Sequence, residues 1–101
     1  MKTITDYINT PSVRVFQTFA GESLDELSQF DAWDIITVLS QAVSDATASD
    51  FDKISTCKMS MILNLQVSDR ANKCLHALDG FPANQVNRLM AAIIAVGFGE
   101  G

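Results

Sequence analysis

The sequence predicts an all-α fold, a compact single domain of five or six short helices covering residues 1–101. Three observations carry that prediction. Apolar residues recur at intervals of three and four through most of the chain. Residues suited to start helices (Ser, Thr, Asp, Pro) precede those runs, and Gly follows them. The one stretch that alternates with period two has no evident partner strand.

Residues 2–9 form a short lead-in with Ile4, Tyr7 and Ile8 at helical spacing. Thr10 is placed to cap a helix that opens on Pro11, carries Val13, Phe16, Phe19 and Ala20, and stops at Gly21. Ser23 with Glu26 fits a capping box, which predicts a short helix to about Phe30. Asp31 then reads as the cap of the main helix. Its apolar stripe is Ala32, Ile35, Ile36, Leu39, Ala42, Val43 and Ala46, with Trp33 on the border and Val38 on the polar side.

Residues 47–49 read as a loop, and Ser49 or Asp50 as the next cap. Between 51 and 67 two patterns compete. Helical spacing groups Phe51, Ile54, Cys57, Met61 and Leu65; alternation groups Met59, Met61, Leu63, Leu65 and Val67. Met and Leu favour helix, so helix is expected, with an α+β fold containing a strand near 59–67 as the alternative. Ser68 and Asp69 start a further helix through Ala71, Cys74, Leu75 and Leu78, ending at Gly80. Pro82 opens the last one, with Val86, Leu89, Met90, Ile93, Ile94 and Val96, ending at Gly97 before a frayed tail. The expected core is Phe16, Phe19, Leu27, Ile35, Ile36, Leu39, Val43, Ile54, Leu75, Leu78, Leu89 and Ile93.

Composition narrows the function classes. The chain has 101 residues, 48% of them hydrophobic, with a mean hydropathy of +0.16, which fits a folded domain. Only 19% are charged, leaving apolar surface for a partner or for self-association. The net charge of −5 and pI of 4.5 oppose non-specific binding to phosphate backbones and to anionic membranes. The start, MKTITDYINT, lacks the apolar core of a secretory signal, and no run of eighteen apolar residues occurs. A cytoplasmic protein with two reduced thiols, Cys57 and Cys74, is the expectation.

Catalytic and metal motifs find little support. Cys74 and His76 are two apart on a predicted helix and point to different sides, and there is no CxxC or HxxxH pair, so no metal or other cofactor is expected. Asp45, Thr47 and Ser49 begin like a calcium loop, but Asp50 and Thr56 occupy its sixth and twelfth positions, where Gly and Glu are needed. With a single His, only Cys57 or Cys74 paired with His76 could make a nucleophilic dyad. No phosphate loop or nucleophile elbow is present, and the chain reads as a non-enzyme.

One local pattern points to nucleic acid. Gly80 and Phe81, followed by Val86, Asn87, Arg88 and Leu89, resemble the turn and second helix of a helix-turn-helix DNA-binding unit. The resemblance implies a dimeric regulator presenting Asn84, Gln85, Asn87 and Arg88 to DNA from within residues 69–96. His76 and Asp79 depart from that pattern, and residues 69–101 hold three bases and three acids, so no cationic excess supports it.

The charge distribution points elsewhere. Residues 22–52 hold eight carboxylates and no Lys or Arg. Caps at positive helix ends account for Asp31, Asp34 and Asp50. The remaining negative charge suits a face that steers a basic protein partner. The leading expectation is therefore a non-enzymatic interaction module of the inhibitor, immunity or anti-defence type. Its contact surface would be Glu22, Asp25, Glu26, Asp31, Trp33 and Asp34. DNA binding through residues 84–88 is the alternative. A structural homo-oligomer, such as a homodimer, using Met59, Leu63 and Val38 comes third.

Overall fold

The computed structural model describes residues 3–99. Six α-helices follow in chain order: α1 (Ile4–Tyr7), α2 (Pro11–Ala20), α3 (Gln29–Ala48), α4 (Thr56–Leu63), α5 (Asp69–Leu78) and α6 (Val86–Ile94). A 3-10 turn, Ala83–Gln85, leads into α6, and a π turn, Ala95–Gly99, follows it. The long α3 runs through the centre and packs against α4, α5 and α6; α2 lies along α5, and α1 rests on α2 and α6. The all-α expectation holds. The strand alternative does not: among the described residues the only β pairing is an isolated bridge between Lys53 and Pro82.

The start of α2 follows the sequence closely. Thr10 accepts a hydrogen bond from the Val13 amide, and Pro11 occupies the first turn. Val13, Phe16 and Ala20 are buried, and Gly21 closes the helix at φ +91°. That positive φ favours Gly, and a side chain there would in addition push the exposed Asp25 carboxylate aside.

The segment after Gly21 departs from expectation. No helix starts at Ser23; residues 22–27 are turns and bends. Leu24 takes a left-handed conformation (φ +59°) that drives its side chain into the core beside Gly97. Burying a Leu contributes about 2 kcal/mol, enough to offset the ~1–2 kcal/mol cost of that backbone geometry. Ser28, not Asp31, then caps α3 by accepting from the Asp31 amide.

Within α3 the buried stripe is Ala32, Ile35, Val38, Leu39, Ala42 and Ala46. It is rotated from the expected one, so Val38 is fully buried while Ile36 and Val43 are partly covered. Three helices and the 3-10 turn pack on α3, which widens its apolar arc beyond a single seam. The helix ends in a Schellman arrangement. Ser49 closes it, Asp50 is left-handed (φ +58°), and the Phe51 amide donates to Ala46. Neither Ser49 nor Asp50 starts the next helix; Ser55 precedes α4.

In α4 the buried side is Thr56 and Met59, leaving Met61 at 79% exposure. Both expected stripes through Met61 fail because the helix begins only at Thr56, which resets its phase. Asn64 stops it in the left-handed region (φ +53°). Beyond it, Leu65 and Val67 are partly buried and Gln66 exposed. The period-two signal is thus real there, in extended chain without a strand partner.

Ser68 caps α5 by accepting from Ala71. Gly80 turns the chain at φ +81°. That turn is held by the 52–54 segment: the Ile54 amide donates to Phe81, Gly80 donates to Ile54, and Ala83 donates to Asp52. Gly97 does not end the last helix, because the π turn carries the chain on to Gly99. Of the expected core, Phe16, Ile35, Leu39, Ile54, Leu75, Leu78, Leu89 and Ile93 are buried, and Phe19, Leu27, Ile36 and Val43 pack at its margin. Ile4, Ile8, Leu24, Phe81 and Val86 are among the residues that join it.

Candidate protein-interaction surface

The acidic residues singled out by the sequence lie on one continuous part of the fold, the 21–28 loop and the first two turns of α3. Glu22, Asp25 and Glu26 are exposed along the loop. The loop cannot swing freely, because the Glu26 amide donates to the Ala20 carbonyl and Leu24 is anchored in the core. Glu26 lies 3.9 Å from Arg70, the one ion pair among the described residues, and the Arg70 guanidinium also donates to the Phe19 carbonyl. Asp31 accepts a hydrogen bond from the Ser68 hydroxyl at 2.9 Å, tying the start of α3 to the start of α5. Asp34 is half-buried on the next turn.

Trp33 projects from α3 at 53% exposure and stacks on Phe98 of the π turn, with centroids 4.6 Å apart. Phe30, one turn earlier on α3, is 83% exposed. Leu24, between the loop acids, touches Gly97, the neighbour of Phe98. The acidic loop and the π turn that carries Phe98 therefore meet at Leu24 and Gly97, and Asp34 follows Trp33 on α3. Phe30 and Phe98 were missed in the sequence. The spacing of Phe30 from Trp33 was a usable signal, since residues three apart share a helix face. Nothing local marks Phe98, which reaches Trp33 only through tertiary docking.

The four residues of the helix-turn-helix resemblance lie around the start of α6. Asn84, Asn87 and Arg88 are exposed and Gln85 is half-buried. Arg88 donates to the Tyr7 carbonyl at 3.4 Å. Asn84 lines a depression of about 410 Å3 together with Thr47, Phe51, Asp52, Lys53, Pro82 and Ala83. In a helix-turn-helix unit the two helices pack on each other, whereas here α5 packs chiefly on α2, and α6 chiefly on α3 and α1. The third set is dispersed: Val38 and Met59 are buried and Leu63 is half-buried, so the exposed apolar residues of this region are Met61 and Ile62 instead.

One further cluster forms across the bundle. The Cys57 sulfur lies 3.4 Å from His76 Nδ1, and the Cys57 amide donates to Asp79 Oδ1 at 3.3 Å. Burial, and then the Asp79 carboxylate, push the Cys57 thiol up, against a lowering hydrogen bond with Thr56. Cys74, the other thiol, is fully buried, and burial pushes it up to about 12. The dyad weighed from sequence is therefore spatially real for Cys57 and His76, while Cys74 is a core residue.

Comparison with protein families, curated proteins and solved structures gave no match. No helix among the described residues is long and apolar enough to cross a membrane.

Proposed function

We propose that this chain is a small protein-binding module without catalysis of its own, of the inhibitor, immunity or anti-defence type. It captures a protein with a basic surface. One observation supports the reading: Trp33 is 53% exposed and stacked on Phe98, with the exposed Phe30 one turn earlier, on the helix that directly follows the exposed acidic loop bearing Glu22 and Asp25. Aromatic anchors supply most of the energy in protein interfaces, and a rim of one charge sign selects and steers the partner. Asp31 and Glu26 are engaged with Ser68 and Arg70, so they hold the surface in shape as much as they charge it.

Residues 84–88 favour DNA less. Asp52 lines the same depression as Asn84, and its carboxylate opposes an approaching phosphate.

The test is affinity capture from the native host at low and moderate salt, with mass spectrometry, followed by binding of the captured protein to variants. Trp33→Ala is expected to lose capture. Glu22→Lys with Asp25→Lys is expected to weaken it and flatten its salt dependence. Binding unchanged in both variants, or recovery of nucleic acid in place of protein, would overturn the reading.

A further inference from the structure

We propose that Cys57 and His76 are half of a zinc site that a second copy of this chain completes. The argument begins with spacing. Zinc holds sulfur at about 2.3 Å and imidazole nitrogen at about 2.0–2.1 Å, so tetrahedral geometry sets two such donors about 3.5 Å apart. Cys57 Sγ and His76 Nδ1 are 3.4 Å apart. They come from different helices, nineteen residues apart in the chain, which is why no ligand pair shows in the sequence.

Both donors are held in place. Cys57 is in the first turn of α4, its amide fixed on Asp79. His76 is in the last turn of α5. Between them the Thr56 hydroxyl donates to the Leu75 carbonyl and locks α4 to α5. The pair is nevertheless accessible, since His76 is exposed and Cys57 half-buried.

Among the described residues of one chain, no group of three or more His, Cys, Asp and Glu side chains converges to hold a metal. One chain thus fills two of four positions. A second copy related by a two-fold axis supplies the same pair and closes a Cys2His2 tetrahedron.

The neighbouring surface suits that approach. Met61 lies one helical turn beyond Cys57 on α4, and Met61 and Ile62 are 79% and 60% exposed. Apposing two α4 helices about the metal removes these side chains from water. The net charge of −5 on each copy opposes association, so the dimer depends on the cation. Binding is an exchange without redox change: each Cys57 thiol loses its proton to solvent as the sulfur–zinc bond forms, two protons per metal. The Asp79 carboxylate beside the thiol adds attraction for a cation.

The experiment uses the reduced full-length chain, zinc chloride, and cobalt(II) as a spectroscopic probe. The expected result is one metal per two chains and a mass twice 11.0 kDa by light scattering, reversed by chelator. Cobalt should give thiolate charge-transfer and tetrahedral ligand-field bands. Cys57→Ser and His76→Ala, checked for retained helicity by circular dichroism, should each abolish the dimer, and Cys74→Ser should leave it. Met61→Glu keeps both ligands and should weaken dimerisation by about tenfold or more. A monomer with no cobalt bands, a one-to-one metal complex, or a metal-dependent dimer that survives Cys57→Ser would overturn the proposal.

Discussion

The Trp33 indole lies on the Phe98 ring with centroids 4.6 Å apart and planes inclined by 27°. It is the link between the central helix and the π turn, and it leaves the outer side of the indole open. Phe98→Ala removes a contact worth about 0.5–1.5 kcal/mol. The expected outcome is a loss of that size in urea denaturation, with a red shift of the single tryptophan's emission. An unchanged spectrum would mean the ring does not cover Trp33 in solution.

Among the described residues Thr56 is the single buried polar one, and its hydroxyl donates to the Leu75 carbonyl. In the last turn of α5 the Asp79 amide bonds to His76, leaving the Leu75 carbonyl to Thr56. Thr56→Val keeps the shape and strands that carbonyl. The expected cost is about 1–3 kcal/mol, whereas Thr56→Ser retains most of the stability.

Asp50 occupies the left-handed position after α3 with its carboxylate at the negative end of that helix. Both features are unfavourable. Asp50→Gly is expected to raise stability by about 1 kcal/mol. Asp50→Asn, which removes only the charge, should gain less. A loss of stability in both would show that the carboxylate has a partner in solution.

Cys74 sets an alkaline limit. Burial raises its thiol in the folded chain from 9.0 to about 12. The unfolded chain therefore releases this proton first, and stability is retained below pH 9 and falls as pH rises between those values. The slope from this group is at most about 1.4 kcal/mol per pH unit. Urea midpoints measured from pH 8 to 10.5 should decline, and Cys74→Ala should shallow the decline.

Where cap and stripe lie close together, the sequence was readable. Thr10 with Pro11, Ser68, and the Leu75–Leu78 and Leu89–Ile93 pairs all stand where local rules put them. Leu24 shows where those rules stop. Ser23 and Glu26 have the spacing of a capping box, yet burial of Leu24 beside Gly97, far along the chain, outweighs a local helix turn. Val38 and Met61 failed for a related reason, since the phase of a stripe depends on where the helix begins and how many elements pack on it. The acids and Trp33 were legible as types. Their union with Phe30 and Phe98, and the meeting of Cys57 with His76, required the fold.

The four-residue α1 rests on α6 as well as on α2, and its Tyr7 carbonyl receives Arg88. So short a helix has no stability alone. Ile4 and Ile8 are therefore buried by partners as distant in the chain as Val86–Ile94, and α1 owes its shape to tertiary packing rather than to its own sequence.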